Sequence, residues 1–242
     1  MKFENKKIDD MEKNKASALK KSKNKETLAG IAYKKLETMI ITLQLKPGSL
    51  WTEKELSELL EIGRMPVREA IQRLDAAHLL TIIPRRGVLV TELKVEEFFL
   101  QLEVRRLLEK LIATRAARFA TPSERDKFLQ LADDYEKVTN EKDELKAIEI
   151  DNEFNEFIGV CARNHYAASA ISPLHALARR LYYMQYNIDP ELTKEINYAH
   201  CDLMRAVASG DEILAAEKSD YLLDCVEKLT KLKFDMYMYP KR

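Results

Sequence analysis

Residues Glu53–Val90 read EKELSELLEIGRMPVREAIQRLDAAHLLTIIPRRGVLV, and this stretch decides the fold. Thr52 with Glu55 three positions on makes a capping box that starts a short helix, with Leu56, Leu59 and Leu60 expected to face inward. After Glu61-Ile62-Gly63 a second helix begins, with Pro66 in the first turn, where a missing N–H removes no intrahelical bond. At about 100° per residue, Val67, Ala70, Ile71 and Leu74 share one face, while Met65, Arg68 and Gln72 share the opposite one. Leu79-Thr81-Ile83 and Val88-Val90 alternate around Pro84-Arg85-Arg86-Gly87, which is a hairpin signal. The order is that of a helix-turn-helix with a β-wing, a shape that sets one helix into a DNA major groove.

The outward face then acquires a chemistry. Arg68 is expected to reach a guanine edge, because its planar fork matches the O6/N7 acceptor pair. Arg85 and Arg86, on an exposed tip with Gly87, suit phosphate contact or minor-groove entry, with a plain surface turn as the alternative. Upstream, Ile31, Leu36, Ile40 and Leu43 mark a helix that stops before Pro47-Gly48. Residues 1–27 alternate Lys with Asp, Glu, Asn and Ser and read as a basic, disordered tail, or alternatively as an arm adding non-specific attraction to phosphate.

The 242 residues carry 40 Lys/Arg and 40 Asp/Glu, a net charge of zero that hides an asymmetry. Residues 1–27 hold 9 basic against 5 acidic side chains, 28–92 hold 9 against 8, and 93–242 hold 22 against 27. A nucleic-acid-facing N-terminal part and a different task for the remainder follow. Cys161, Cys201 and Cys225 lie far apart with no CxxC pair, so buried thiols are expected rather than a disulfide framework or thiolate zinc site. With no apolar run of membrane-spanning length and no apolar signal segment, the expected compartment is the cytoplasm and no membrane partner is expected.

From Val95 onward everything reads as helix: Val95 to Phe119, then a helix opened by Thr121-Pro122-Ser123-Glu124 and running to about Asn140. Lys142 to Arg163 follows, then Ala167 to about Tyr186, one capped by Asp189-Pro190-Glu191 and reaching Ala208, and a last one from Gly210-Asp211 to about Met236. Short links between such helices imply an antiparallel bundle. The fold class is thus mostly α, with an N-terminal winged helix-turn-helix domain carrying a small β-wing and a C-terminal all-α antiparallel helical bundle. No Gly-rich phosphate loop, nucleophile elbow or His-Glu zinc helix is present, and no enzyme is expected.

Residues from about Ile31 to Leu93 closely resemble the winged helix-turn-helix domain of the GntR transcription regulators. Pro47-Gly48, Glu55-Leu56-Ser57, Arg64-Met65-Pro66-Val67-Arg68-Glu69-Ala70-Ile71, Arg73-Leu74 and Arg86-Gly87 carry the resemblance. It implies operator contact at Lys54, Arg64, Arg68 and the wing tip Arg86-Gly87; the outward helix face and the hairpin tip add Met65, Gln72 and Arg85 as expected DNA contacts. Glu61 stands where the family usually has Gly, Gly63 where it has Ser or Thr, and Met65 where it has Thr or Ser. The turn geometry, the cap of the recognition helix and the base preference are therefore expected to differ.

The helical part resembles the FCD ligand-binding domain of the FadR branch, through Glu103-Val104-Arg105-Arg106 with Leu108-Glu109, Asp151 with Phe154, His200, and Gly210-Asp211. The organisation implied is a 1–27 tail, a 28–92 DNA-binding domain and a 93–242 effector-binding and dimerisation domain. Many FCD domains hold a metal through one Asp and three His. Here Asp151 and His200 stand at two of those positions, with Asn155 and Leu222 at the others, so a divalent metal is disfavoured. Were one bound, Asp151 and His200 would be its ligands. Arg105, Asp151, Asn155 and His200 are the expected effector-binding residues. Arg105 either anchors an anion or forms a structural ion pair with Glu109 or Asp151. His165 is expected on the surface of a linker, and Tyr182, Tyr183 and Tyr186 in the core.

The function these readings imply is a sequence-specific transcription regulator, expected to be a repressor. It would act as a homodimer on a pseudo-palindromic operator in double-stranded DNA and answer to a small-molecule effector such as an organic acid or another anionic metabolite. The alternative is a metal-binding or small-molecule-processing helical domain recruited to nucleic acid by the N-terminal module.

Overall fold

A computed structural model describes residues 27–92, 94–185 and 190–238. The tail other than Thr27, the Asp189 cap and Tyr186 lie outside the described residues. Helix α1 (Leu28–Ile41) starts at Thr27, whose hydroxyl accepts from the Gly30 N–H. It buries Ala29, Ala32, Leu36, Ile40 and Ile41. Two positions of the expected stripe are corrected: Ile31 is half-buried, and Leu43 lies past the helix end with φ of 59°. The small alanines, inconspicuous in a hydrophobic pattern, set the true phase of the face that packs on the recognition helix.

A two-residue strand β1 (Leu50–Trp51) follows, then α2 (Glu53–Leu60) and α3 (Arg64–Ala76). The capping box forms as expected: Thr52 Oγ1 accepts from Glu55 N–H at 3.2 Å, and Glu55 accepts from Thr52 N–H at 2.7 Å. Leu56 and Leu60 are buried, but Leu59 is 48% exposed, a second correction. Adjacent leucines on a helix point about 100° apart, so only one of this pair can face the core. In α3 the inward set Val67, Ala70, Ile71 and Leu74 is buried, as the wheel predicts.

Strands β2 (Leu80–Ile83) and β3 (Gly87–Val90) pair antiparallel, and β1 adds to the other side of β3, giving the order β1-β3-β2. The alternation expected from Leu79 shifts, since Leu79 and Leu80 are both buried and Ile82 is 41% exposed. Gly87 is required where it stands. Its φ is 122°, and an added Cβ would run into the Trp51 carbonyl oxygen on the neighbouring strand.

Six helices complete the described chain: α4 (Val95–Phe119), α5 (Pro122–Glu141), α6 (Glu144–Cys161), α7 (His165–Gln185), α8 (Pro190–Ser209) and α9 (Glu212–Met238). Their bundle core includes Phe128, Tyr135, Phe154 and Met204. Helix α6 begins two residues later than expected because Lys142 is left-handed and Asp143 provides the cap, accepting from Lys146 N–H at 3.1 Å. Helix α7 begins two residues earlier, at an exposed His165. Arg125 braces helix ends, donating to the carbonyls of Ala117, Ala120 and Ala208 and meeting their unsatisfied acceptors. Among the described residues, no helix is long and apolar enough to cross a membrane.

Helix α7 belongs to both halves. Ala176 and Leu177 are part of the core of the winged domain, while Leu181 packs with Phe98, Leu102 and Leu223 of the bundle. Next to them Arg180, fully buried, donates to the Thr91 carbonyl at 2.6 Å and to the Thr91 hydroxyl at 3.2 Å.

Gly87→Ala should destabilise the wing by about 1–3 kcal/mol, the range for strained backbone. Thermal unfolding followed by the single tryptophan, Trp51 on the adjoining strand, would record it as a lowered transition confined to the N-terminal domain.

Candidate functional site

The outward face of α3 and the wing tip form the first candidate site. Lys54, Arg64, Met65, Arg68, Gln72, Arg85 and Arg86 are all exposed, with Met65 at 71%. Gly87 is half-buried and shapes the tip without presenting a side chain. Arg85 takes a left-handed φ of 65°, and the Arg86 N–H donates to the Ile83 carbonyl at 3.0 Å, closing the turn. The unusual turn before α3 is also resolved. Glu61 adopts the left-handed conformation (φ 56°) that a glycine would otherwise take, and Gly63 caps α3 with no side-chain acceptor. Pro66 has no N–H and the Val67 N–H donates to the Gly63 carbonyl at 3.3 Å, so of the first turn of α3 only the Arg64 and Met65 N–H groups are left for an anion such as phosphate.

Arg68 is not free as drawn from the wheel. Its Nε and Nη2 donate to the Glu53 carboxylate at 2.7–3.0 Å, tying α3 to the start of α2 beside Lys54. That hydrogen bond raises the guanidinium pKa. Exposed ion pairs are weak, so a base edge or phosphate can displace the carboxylate at small cost.

The second site is a cavity of about 60 Å³ in the bundle, room for on the order of four waters or one small organic molecule. Arg105, Asp151, Asn155 and His200, four expected residues from three helices, all line it. So do Glu109, expected as an alternative ion-pair partner of Arg105, and His175 and Arg179, which sequence reasoning did not single out. Phe98, Phe154, Leu181 and Leu222 give the wall its apolar part.

Two polar systems meet there. His200 Nδ1 faces the Ile196 carbonyl at 2.9 Å and its Nε2 faces Asp151 at 3.1 Å, while Asn155 Nδ2 donates to the other Asp151 oxygen at 3.0 Å. Burial alone would raise the Asp151 pKa, but the hydrogen bond and charge of His200, aided by Arg179 and His175, hold it at about 2. Across the cavity, Arg105 Nε and Nη2 both lie 2.7 Å from Glu109. Of the two alternatives for Arg105, the ion pair with Glu109 is thus formed, yet its Nη1 is buried with no partner. His175 Nε2 lies 3.4 Å from the same carboxylate but off-line, and it too has no hydrogen-bond partner. Burial lowers the His175 pKa, so Arg105 is the cation that overcomes the burial of Glu109 and holds it at about 2. The lining of this small cavity thus includes one arginine with an unmet donor, Arg105 Nη1, and one imidazole, His175, whose Nε2 donates or accepts according to its tautomer.

A metal ion fits these residues poorly. Asp151 is already engaged by His200 and Asn155, and the fourth family position is the buried, apolar Leu222. Among the described residues, no three His, Cys, Asp or Glu side chains converge as a ligand set. One carboxylate, one imidazole and one amide do not close a transition-metal shell. The three cysteines are buried, and burial pushes Cys161 up to about 11 and Cys201 up to about 12, which keeps those thiols inert.

The low carboxylate pKa values have a signed consequence. A depressed pKa stabilises the fold fully above the unfolded values of 4.5 for Glu109 and 3.8 for Asp151, and that stability is lost as pH falls toward about 2. Because the lowered His175 pKa already costs stability as pH falls through the unfolded imidazole value of 6.5, urea-unfolding midpoints should decline gently below neutrality and steeply below about 4.5. At neutral pH, Arg105→Met or Glu109→Leu alone should cost about 3–5 kcal/mol by leaving a buried charge unpaired, and the double variant should cost less than either.

Comparison with known proteins places the two halves. Residues 28–90 match the family described as bacterial regulatory proteins, gntR family, and residues 101–224 match the FCD domain. The HTH-type transcriptional repressor RspR of Escherichia coli K12 is 27% identical over 181 residues, covering 74% of this chain and 78% of that protein. An HTH-type transcriptional regulator from the ttuE-ttuC' intergenic region of Agrobacterium vitis is 30% identical over 137 residues, 54% of this chain and 78% of its own length. The solved structure of E. coli McbR/YncC has the same fold, with a TM-score of 0.73 over 86% of this chain and 99% of that one at 19% identity.

Proposed function

The chain belongs to the gntR family of bacterial regulatory proteins, with an FCD domain as its second half, and from that premise we propose how this DNA-binding transcription regulator works. It acts in the cytoplasm as a homodimeric repressor, holds a pseudo-palindromic operator through two copies of α3 and the wing, and is released by a small organic acid. The observation that carries the effector reading is the buried, unpartnered Nη1 of Arg105, on a residue that lines the cavity together with His175 and Arg179. A buried guanidinium position without an acceptor is costly, and a carboxylate supplies the acceptor with a charge-assisted bond. The repressor named among its relatives supports the sign of regulation.

Within the DNA-binding face, Arg68 and Gln72 read base edges, Met65 makes apolar contact, and Lys54, Arg64, Arg85 and Arg86 contact phosphates. Asp151, Asn155 and His200 orient the effector without a metal. Dimerisation uses α4, where Leu100, Val104, Leu107 and Leu111 form an exposed apolar stripe spaced by four, three and four residues. Two such stripes pair antiparallel about a twofold axis, bringing Glu103 of one copy near Lys110 of the other.

DNA selected by the protein from a random pool should contain a twofold-related pair of half-sites. Arg68→Ala should weaken binding to that DNA by roughly 10- to 100-fold at one base position and leave binding to scrambled DNA nearly unchanged; equal loss on both would remove the base-reading role. Leu107→Glu should sediment as a monomer and lose operator affinity. Stability and operator affinity should both survive dialysis against a chelator; a stoichiometric metal in elemental analysis would contradict the metal-free cavity.

A further inference from the structure

Beyond the cavity itself, the polar residues around α7 form a continuous route to the recognition helix. Arg179 is 7% exposed and lines the cavity on one side, where its charge acts on Asp151. On the other side its Nη2 lies 3.6 Å from Glu37 of α1, across the boundary between the two halves. Glu37 in turn accepts from the Tyr33 hydroxyl at 2.9 Å, and the guanidinium of Arg73 stacks 4.3 Å above the Tyr33 ring. Arg73 belongs to α3, the helix that carries the DNA-binding face.

The Arg179–Glu37 contact is the soft link. At 3.6 Å it is an ion pair without a hydrogen bond, whereas Tyr33–Glu37 is a bond of ordinary length. A carboxylate entering the cavity would offer Arg179 directed acceptors of the kind Glu37 does not supply. Asn155, His175 and Arg179 also line an open cleft of about 1100 Å³ between the halves, so cavity and boundary adjoin at this side chain.

Resting on the effector reading above, we propose that Arg179 is the coupling residue: an anion in the cavity draws its guanidinium from Glu37, and loss of that cross-boundary pair frees the Tyr33–Arg73 contact and shifts α3. The two acceptor choices of one arginine are the two states that the two sites bias. By linkage, operator DNA must oppose effector binding by the same factor with which effector opposes DNA.

Glu37→Gln tests this, since Glu37 is outside both the cavity and the DNA-binding face. Affinity for selected DNA is measured by fluorescence anisotropy with and without millimolar acetate, benzoate, succinate or citrate, using the carboxylates that raise the wild-type Tm. Without ligand, the variant should bind selected DNA at least about fivefold more weakly than wild type, the lower end of ordinary coupling, and the added carboxylate should weaken it little further. Deleting a negative charge would by itself strengthen DNA binding, so a merely electrostatic role predicts the opposite sign. Tyr33→Phe, which deletes one hydroxyl, should shift affinity in the same direction and decides the matter if Glu37→Gln does not fold. Wild-type DNA affinity in these variants, or an undiminished response to carboxylate, overturns the coupling. If no carboxylate raises the wild-type Tm, the effector reading fails, and the ligand-free DNA affinity of the two variants still decides the role of the link.

Discussion

The buried charge of Arg180 constrains this molecule more than any other single group. It has no solvent, and burial pulls its pKa down to about 10. Its hydrogen bonds go to the carbonyl and hydroxyl of Thr91, at the end of the wing and just before the bundle. An arginine cannot shed its proton at neutral pH, so this side chain must find those oxygens wherever α7 lies. Helix α7 is thereby fixed in rotation and height against the chain segment joining the halves. Its neighbours Ala176 and Leu177 then fall into the winged-domain core, and His175 and Arg179 fall against the cavity.

With α7 so fixed, the cavity inherits an unusual balance. Asp151 and His200 satisfy each other, whereas the Arg105–Glu109 pair stops short of closure, with Arg105 Nη1 unpartnered. Leu222 gives this chamber an apolar face, and Asn155 donates a hydrogen bond to Asp151. What remains is a small chamber with room for about four waters, one unmet arginine donor in its lining and walls that are mostly apolar. Such a chamber selects by charge and size together: too small for a bulky ligand, and too costly to leave dry.

Local signals made the N-terminal half legible. The Thr52–Glu55 box, Pro66 and the α3 wheel depend on residues within a few positions of each other, and the structure repeats them residue for residue. Strand β1 escaped because two residues carry no alternation and its pairing to β3 is supplied by a segment 37 positions away. The same reason hid much of the cavity. Asp151 and His200 were visible only through a family pattern and Glu109 through its four-residue spacing from Arg105, while His175 and Arg179 meet Glu109 and Glu37 because three helices cross, which no spacing encodes. One trace was present: His175 and Arg179 sit four apart, next to Arg180, in the mostly apolar run from Leu174 to Tyr183, and polar residues on a buried helix need partners.

The Arg68–Glu53 pair has a consequence for how the regulator finds its site. A protein searching a chromosome meets arbitrary sequence far more often than its operator, and attraction to phosphate alone would hold it wherever it landed. Folding Arg68 onto Glu53 withdraws one positive charge from that indiscriminate attraction while keeping the guanidinium extended and oriented. In the base-reading role proposed for Arg68, the side chain leaves Glu53 where DNA offers a better acceptor than the carboxylate. Residence on wrong DNA is shortened, and the ordering of a long flexible side chain is already complete when the right sequence arrives.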